Sequence, residues 1–171
     1  MIMSENATVA VIMGSKSDFD TVKGALSVFE DFEIPYTVRV MSAHRTPDAA
    51  AEFAEKAEEN GIKVIICAAG MAAHLGGVIA AKTTLPVIGI PIPSEPFKGV
   101  DALLAMVQMP PGIPVGVVTA GKAGGKNSAL YAASILALSD KKIADKLKEF
   151  RASQTAMVEA ADAELQEELA K

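Results

Sequence analysis

Hydrophobic positions along this chain fall into short continuous blocks, separated by longer stretches in which apolar residues recur with a helical period. The first block, Thr8-Val9-Ala10-Val11-Ile12-Met13, is β-rich and nearly unbroken. A strand covered on both faces reads this way, as parallel strands do beneath flanking helices. A turn rich in helix-capping residues follows, Gly14-Ser15-Lys16-Ser17-Asp18. Over 19–33 the apolar positions Val22, Leu26, Phe29 and Phe32 step by three or four, which marks one face of a helix. Pro35 ends it, and Tyr36-Thr37-Val38-Arg39-Val40 reads as a second strand.

The unit then recurs. Ser42-Ala43-His44-Arg45-Thr46-Pro47 is a loop, with Thr46 at the N-cap and Pro47 at the first position of a helix. That helix is predicted over 48–60, with Gly61 at its C-terminal stop. The third strand, 64–69, is fully apolar, and a small-residue loop at 70–77 leads into a short helix near 78–82. A fourth strand at 86–90, a helix at 99–108, a fifth strand at 115–119 and an Ala-rich helix at 124–138 complete the alternation. Such alternation predicts an α/β fold, a three-layer α/β/α sandwich around a parallel five-stranded sheet, because each crossover is right-handed. The expected order is flavodoxin-like, 2-1-3-4-5. The chain reads as a single α/β domain over 1–171, with a core at about 8–138 and a helical extension at 139–171.

In that extension Ile143, Leu147, Phe150, Gln154, Met157, Ala161 and Leu165 form one stripe at helical spacing. A single helix over this stretch would be roughly 45 Å long. A domain of this size has a radius of gyration of only ~15 Å, so such a helix overhangs its own domain. A bent or frayed helix is the plain reading. The sharper expectation is a helix that packs on a neighbouring subunit.

Composition narrows the class. The chain has 171 residues, 50% of them hydrophobic, with 22% charged, which excludes intrinsic disorder. No apolar run approaches the ~20 residues of a membrane span, and the N-terminus lacks the pattern of a signal peptide. Cys67 is the only cysteine and has no internal partner, so a reducing cytoplasm is the expected location. A net charge of −5 argues against a nucleic-acid binder. The apolar content exceeds what one small core needs.

Candidate chemistry lies in the loops after the strands, where open α/β sheets bind ligands. In the first of these, Gly14, Ser15 and Asp18 suit an anion and a ribose diol, although Asp18 as an ordinary helix cap is the commoner use. The loop matches neither a dinucleotide fingerprint nor a Walker A sequence. In the second, Arg45 beside Ser42 is suited to grip a phosphate through its planar fork, against the plain reading of a solvated surface charge. The small residues of the third, Gly70 to Gly77, let backbone approach a ligand closely. Both histidines of the chain, His44 and His74, fall in these loops. A lone loop histidine is usually a surface residue, but two at one edge point to proton transfer. They make a poor metal set, and Cys67 inside an apolar strand reads as an inert thiol. The loop from Gly121 to Asn127, with two lysines, is either extra positive charge near an anion or a turn.

Met13-Gly14-Ser15-Lys16-Ser17-Asp18, Ser42-Ala43-His44-Arg45-Thr46-Pro47, Ala72-Ala73-His74-Leu75 and Val107-Gln108-Met109-Pro110 together resemble the N5-carboxyaminoimidazole ribonucleotide mutases of purine biosynthesis, over about 8–155. The resemblance implies conversion of N5-carboxyaminoimidazole ribonucleotide to 4-carboxy-5-aminoimidazole ribonucleotide without metal, ATP or organic cofactor, by a homo-octamer of 422 symmetry. It implies that His44 is the proton donor and acceptor and that His74 lines the pocket near the imidazole and carboxylate. Ser15 and Asp18 would bind the ribose-phosphate portion and Arg45 the phosphate. Gly14, Ser42, Gly70, Ala72, Ala73 and Leu75 complete the substrate-binding set. Transient contact with the ATP-dependent synthetase that makes the labile substrate is a candidate partnership; nucleic acid and membrane are not expected.

The third loop departs from the family pattern, with Met71 in place of a glycine and Gly76 in place of a proline, and both bear on how tightly it closes over CO2. Two alternatives stand beside this one. A direct CO2-dependent carboxylase of aminoimidazole ribonucleotide has Ser-Ala-His-Lys in its second loop, where this chain has Ser42-Ala43-His44-Arg45. A non-catalytic flavodoxin-like binding module is the other. A phospho-receiver would need acidic groups where Gly14-Ser15 and Ala68-Ala69 stand.

Overall fold

A computed structural model describes residues 6–171. Five strands, β1 (Val9–Met13), β2 (Tyr36–Val40), β3 (Val64–Gly70), β4 (Val87–Ile92) and β5 (Gly116–Val117), form one parallel sheet in the order β2-β1-β3-β4-β5. The predicted class and order hold. Every residue of β1 is buried, as are the first six of β3, which is why these strands carry no alternating pattern.

Helices α1 (Phe19–Phe32), α2 (Pro47–Lys56), α3 (Leu75–Ala80), α4 (Val100–Val107) and α5 (Lys122–Leu136) follow the strands. Side chains alternate across the sheet. Ala10, Ile12, Ile65, Cys67 and Ala69 share a core cluster with Ala50 and Ala54 of α2, Leu75 and Ile79 of α3, and Ala102 and Met106 of α4. α1 runs close beside α5: a Cβ at Gly125 would stand 2.1 Å from the Thr21 carbonyl oxygen. Glycine there sets the spacing of the two backbones, so the glycine-rich stretch after β5 serves helix packing.

Of the boundaries that differ from the sequence reading, three have a plain local reason. α2 stops at Lys56, and turns carry the chain to Gly61, whose φ of +85° ends the segment. α3 starts at Leu75 because the His74 carbonyl accepts the Val78 N–H at 2.9 Å. β5 is only two residues long, following Pro114, although the Val118 N–H still reaches the Gly89 carbonyl at 3.1 Å.

By contacts the chain divides into two units, Met1–Ala132 and Ala133–Lys171. The second contains α6 (Lys141–Leu169), a helix of 29 residues. Its N-cap is Asp140, whose carboxylate accepts the N–H groups of Lys142 at 2.9 Å and Ile143 at 3.2 Å. Every residue of 151–171 is exposed, including Met157, Val158, Leu165 and Leu169. Among the described residues no helix is long and apolar enough to cross a membrane.

Candidate active site

The loops that follow β1, β2, β3 and β4 enclose a cavity of about 650 Å³ at the carboxyl edge of the sheet. Gly14 is the first residue past β1, and nothing lies within 4 Å of where its Cβ would be, so it leaves open space at the cavity wall. Its own N–H donates to the Ala68 carbonyl at 3.2 Å, which ties the end of β1 to β3.

Two serines order this edge. Ser15 Oγ accepts the Ser17 N–H at 3.3 Å and shares a hydrogen bond of 2.8 Å with Ser17 Oγ. Ser42 Oγ accepts the N–H groups of His44 and Arg45 at 3.3 Å and 3.2 Å. A hydroxyl has two acceptor sites and one hydrogen. With both its lone pairs engaged, Ser42 keeps its hydrogen for a ligand oxygen. Thr46 stands at the N-cap of α2 without capping it. Its Oγ1 instead accepts the Ser42 N–H at 2.9 Å and donates to the Ser42 carbonyl at 3.1 Å, which closes the loop on itself.

Arg45 is exposed but not free. Its Nη2 donates to the Gly14 carbonyl at 2.9 Å, which holds the guanidinium across the end of β1 with its other N–H groups turned to ligand or solvent. Asp18 is the N-cap residue of α1 yet makes no capping hydrogen bond; its Oδ1 accepts from Ser17 Oγ at 3.3 Å. Partial burial pushes the Asp18 carboxyl above its usual range, against the hydrogen bonds of Ser17 and Ser15 and the charge of Arg45. A carboxylate held in a cavity without a capping task is suited to accept hydroxyl donors.

His44 Nε2 and His74 Nδ1 lie 2.7 Å apart, with the rings nearly perpendicular at 82°. That distance requires one hydrogen between the two nitrogens, donated by whichever ring carries it. Both histidines line the cavity. Gly70, Ala72 and Leu75 line it as well, Leu75 from a largely buried position. Ala73 does not: it is only 4% exposed and belongs to the core cluster, so its contribution is to seat the loop. Met71 and Ala73 both have left-handed backbone, at φ +56° and +46°, at about 1–2 kcal/mol each for a residue with a Cβ.

Ser17, Ala43, Ala69, Met71, Ile92 and Ser94 also line the cavity and were not among the expected site residues. Ser17 and Ala43 sit inside motifs already singled out, whereas Ile92 ends β4 and Ser94 lies just beyond it, between Pro93 and Pro96. Lys122 and Lys126 are not in the lining. Cys67 is fully buried and its thiol is pushed up to about 12 by desolvation, as an inert core residue. Among the described residues no group of three or more metal-ligating side chains gathers.

A parallel α/β domain with a hydrogen-bonded histidine pair and convergent anion donors at its carboxyl edge belongs to the class of small-molecule α/β enzymes. Comparison with known proteins narrows that class. The AIR carboxylase family model matches residues 8–157, and this chain belongs to that family. It is 53% identical over 156 residues to an N5-carboxyaminoimidazole ribonucleotide mutase of Haemophilus influenzae, covering 91% of this chain and 95% of that one. The protein of the same name from Escherichia coli K12 is 55% identical over 149 residues, covering 87% and 88% of the two chains. Among solved structures, PurE of Treponema denticola superposes with a TM-score of 0.83 at 32% identity, covering 92% of this chain and 97% of that one.

The environment of Asp18 generates a test. A carboxyl whose pKa is raised in the folded state binds its proton more tightly there than in the unfolded chain. It therefore weakens the fold once it ionises, above its folded pKa, and that cost fades as pH falls towards the unfolded value. Asp18→Asn is expected to raise the melting temperature at neutral pH, with the gain shrinking on acidification. Thermal melts from pH 7 to pH 4 measure this; a gain that stays constant with pH would contradict the burial of the carboxyl.

Proposed function

We propose that this chain is an N5-carboxyaminoimidazole ribonucleotide mutase acting in the de novo synthesis of the purine nucleotide IMP. The observation that carries this reading is the 2.7 Å contact between His44 and His74 in a cavity that also holds Ser15, Asp18, Ser42 and Arg45. Relatives more than half identical over most of the chain bear the same name.

In this reading Arg45, the hydroxyl hydrogen of Ser42 and the loop of Ser15 take the phosphate, and Asp18 accepts hydrogens from the ribose hydroxyls. Gly14, Gly70 and Ala72 keep the walls low enough for the ring to enter, Ala73 seats the third loop, and Leu75 gives it an apolar floor. His44 protonates the carbamate nitrogen; the C–N bond breaks, its electron pair stays on nitrogen, and CO2 is released beside aminoimidazole ribonucleotide. Carbon 4 of that electron-rich ring attacks CO2 and forms the new C–C bond. His44 then removes the proton from carbon 4 and aromaticity returns. Proton balance over the cycle is zero. No electron leaves the substrate and no phosphate is transferred, so the reaction as written calls for no metal, ATP or organic cofactor. His74 orients His44 through the shared hydrogen and stands on the side of the imidazole and carboxylate. The remaining task is to hold the ring and keep CO2 close, which is a matter of proximity and water exclusion.

The direct-carboxylase and non-catalytic readings are not favoured, because the relatives at this level of identity are named as mutases. Arg45 in place of the carboxylase branch's lysine points the same way. The single thiol, Cys67, fits a cytoplasmic location. Transient docking with the synthetase that supplies the carbamate would shorten the exposure of a labile substrate to water.

A homo-octamer gives the surplus of apolar residues a place. On α4, Val100, Leu103, Leu104 and Val107 are exposed at one-face spacing, and on α6 Met157, Val158, Leu165 and Leu169 are exposed too. Such surface is typical of obligate interfaces.

Two experiments follow. Purified protein given fresh N5-carboxylated substrate, without ATP or metal, is expected to form the 4-carboxylated isomer in an ultraviolet assay. His44→Asn should lower turnover by at least about a hundredfold while product affinity stays within about tenfold. Absence of conversion by the wild type overturns the reading, and a fully active His44→Asn removes His44 from the chemistry. Sedimentation is expected to find an assembly near eight subunits; a stable monomer contradicts the oligomer.

A further inference from the structure

We propose that Met71 is a positioning residue that covers the mouth of the cavity and holds CO2 beside the ring between the two halves of the reaction. The proposal rests on the mutase reading and names a residue that decides how much of the released CO2 is recaptured.

Met71 lines the cavity and is 67% exposed, the only large apolar side chain of the lining that stands so far out. Its place is fixed by the turn that carries it. The Ala73 N–H donates to the Gly70 carbonyl at 3.0 Å, and Ala73 and Leu75 are buried. A Cβ at Gly70 would meet the Ile92 carbonyl oxygen at 3.1 Å, so the near end of the turn lies tight against β4. Between these two anchors the chain turns with Met71 at φ +56°, a conformation that disfavours any residue with a Cβ. The anchored turn holds it there and projects the side chain outward.

The open edge at this point leaves CO2 a way out. His44 and His74 are both exposed at the cavity surface, and CO2 is a small neutral molecule that neither ion pairing nor Arg45 retains. The side chains that bind the nucleotide are polar and lie on the loops after β1 and β2. On the side of β3 and His74 the one long apolar side chain in reach of the opening is that of Met71. Its unbranched thioether adapts to an irregular surface and packs well on a heteroaromatic ring. Folded over the bound imidazole, it displaces water from the mouth and places an apolar wall on the escape path.

When CO2 escapes, the enzyme releases aminoimidazole ribonucleotide in place of the 4-carboxylated product. The test is therefore the partition between these two nucleotides, measured on the full chain above the no-enzyme rate of carbamate breakdown, with a ¹³C-labelled substrate carboxyl in unlabelled bicarbonate. Met71→Gly is expected to raise the fraction of aminoimidazole ribonucleotide at least about threefold and to lower label retention in the product. Met71→Leu, which keeps an apolar side chain of similar length, should restore both to wild-type values. Met71→Gly removes a side chain from a left-handed position, so its melting temperature should equal or exceed that of the wild type. A converting wild type whose Met71→Gly variant partitions and retains label identically overturns the role of Met71 alone. A wild type that converts nothing overturns the mutase reading, and this proposal with it.

Discussion

The hydrogen bond between His44 and His74 is the contact on which the site depends, and it is an unusual one to build. His44 follows β2 and His74 follows β3, and these strands are not neighbours: β1 lies between them. Two strand spacings, about 9–10 Å, separate the ends from which the loops start. To bring the ring nitrogens to 2.7 Å, both loops must lean over the end of β1. Gly14 stands at that end with open space at its Cβ position, and its carbonyl receives Arg45 from the β2 loop. The loops are held by their own hydrogen bonds, Ser42 with Thr46 on one side and Ala73 with Gly70 on the other. Remove that local closure and the pair separates.

The anion donors follow a second constraint. The chain carries a net charge of −5, so it offers no general attraction for a phosphorylated ligand. Binding therefore has to be local. Ser42 accepts two N–H groups of its own loop, which leaves its hydrogen to give away. Asp18 lines the same cavity with its carboxyl raised by burial, less readily ionised than a surface carboxylate. The lysines near Gly124, read from the sequence as either charge near an anion or part of a turn, are absent from the cavity lining. Gly124 and Gly125 are instead needed for close packing, since a Cβ on either would meet a backbone oxygen at about 2 Å.

Much of this was legible in the sequence because buried parallel strands leave unbroken apolar runs, and β1 and β3 are such runs. The order of the sheet followed from the alternation of strands and helices. Boundaries were harder where short-range geometry decides them: the start of α3 depends on one carbonyl, that of His74, and two glycines after Leu75 hid the helix. Both histidines were legible as loop residues of one edge. Their contact was not, because it depends on two loops crossing a third strand, and no pattern of spacing encodes that. Ala73 was grouped with the lining by its neighbours, yet a φ of +46° turns its side chain into the core. Ser94 and Ile92 reach the cavity only because β4 ends beside Gly70, a matter of register.

The central claim is that the two imidazoles share a hydrogen, through which His74 orients His44 for its proton transfers. The chain contains only two histidines, so labelling with ring-¹⁵N histidine marks four nitrogens. Solid-state ¹⁵N NMR of the assembled protein reads the pair directly. The account predicts a scalar coupling across the hydrogen bond between one nitrogen of each ring. Two rings with no coupling between them would contradict it.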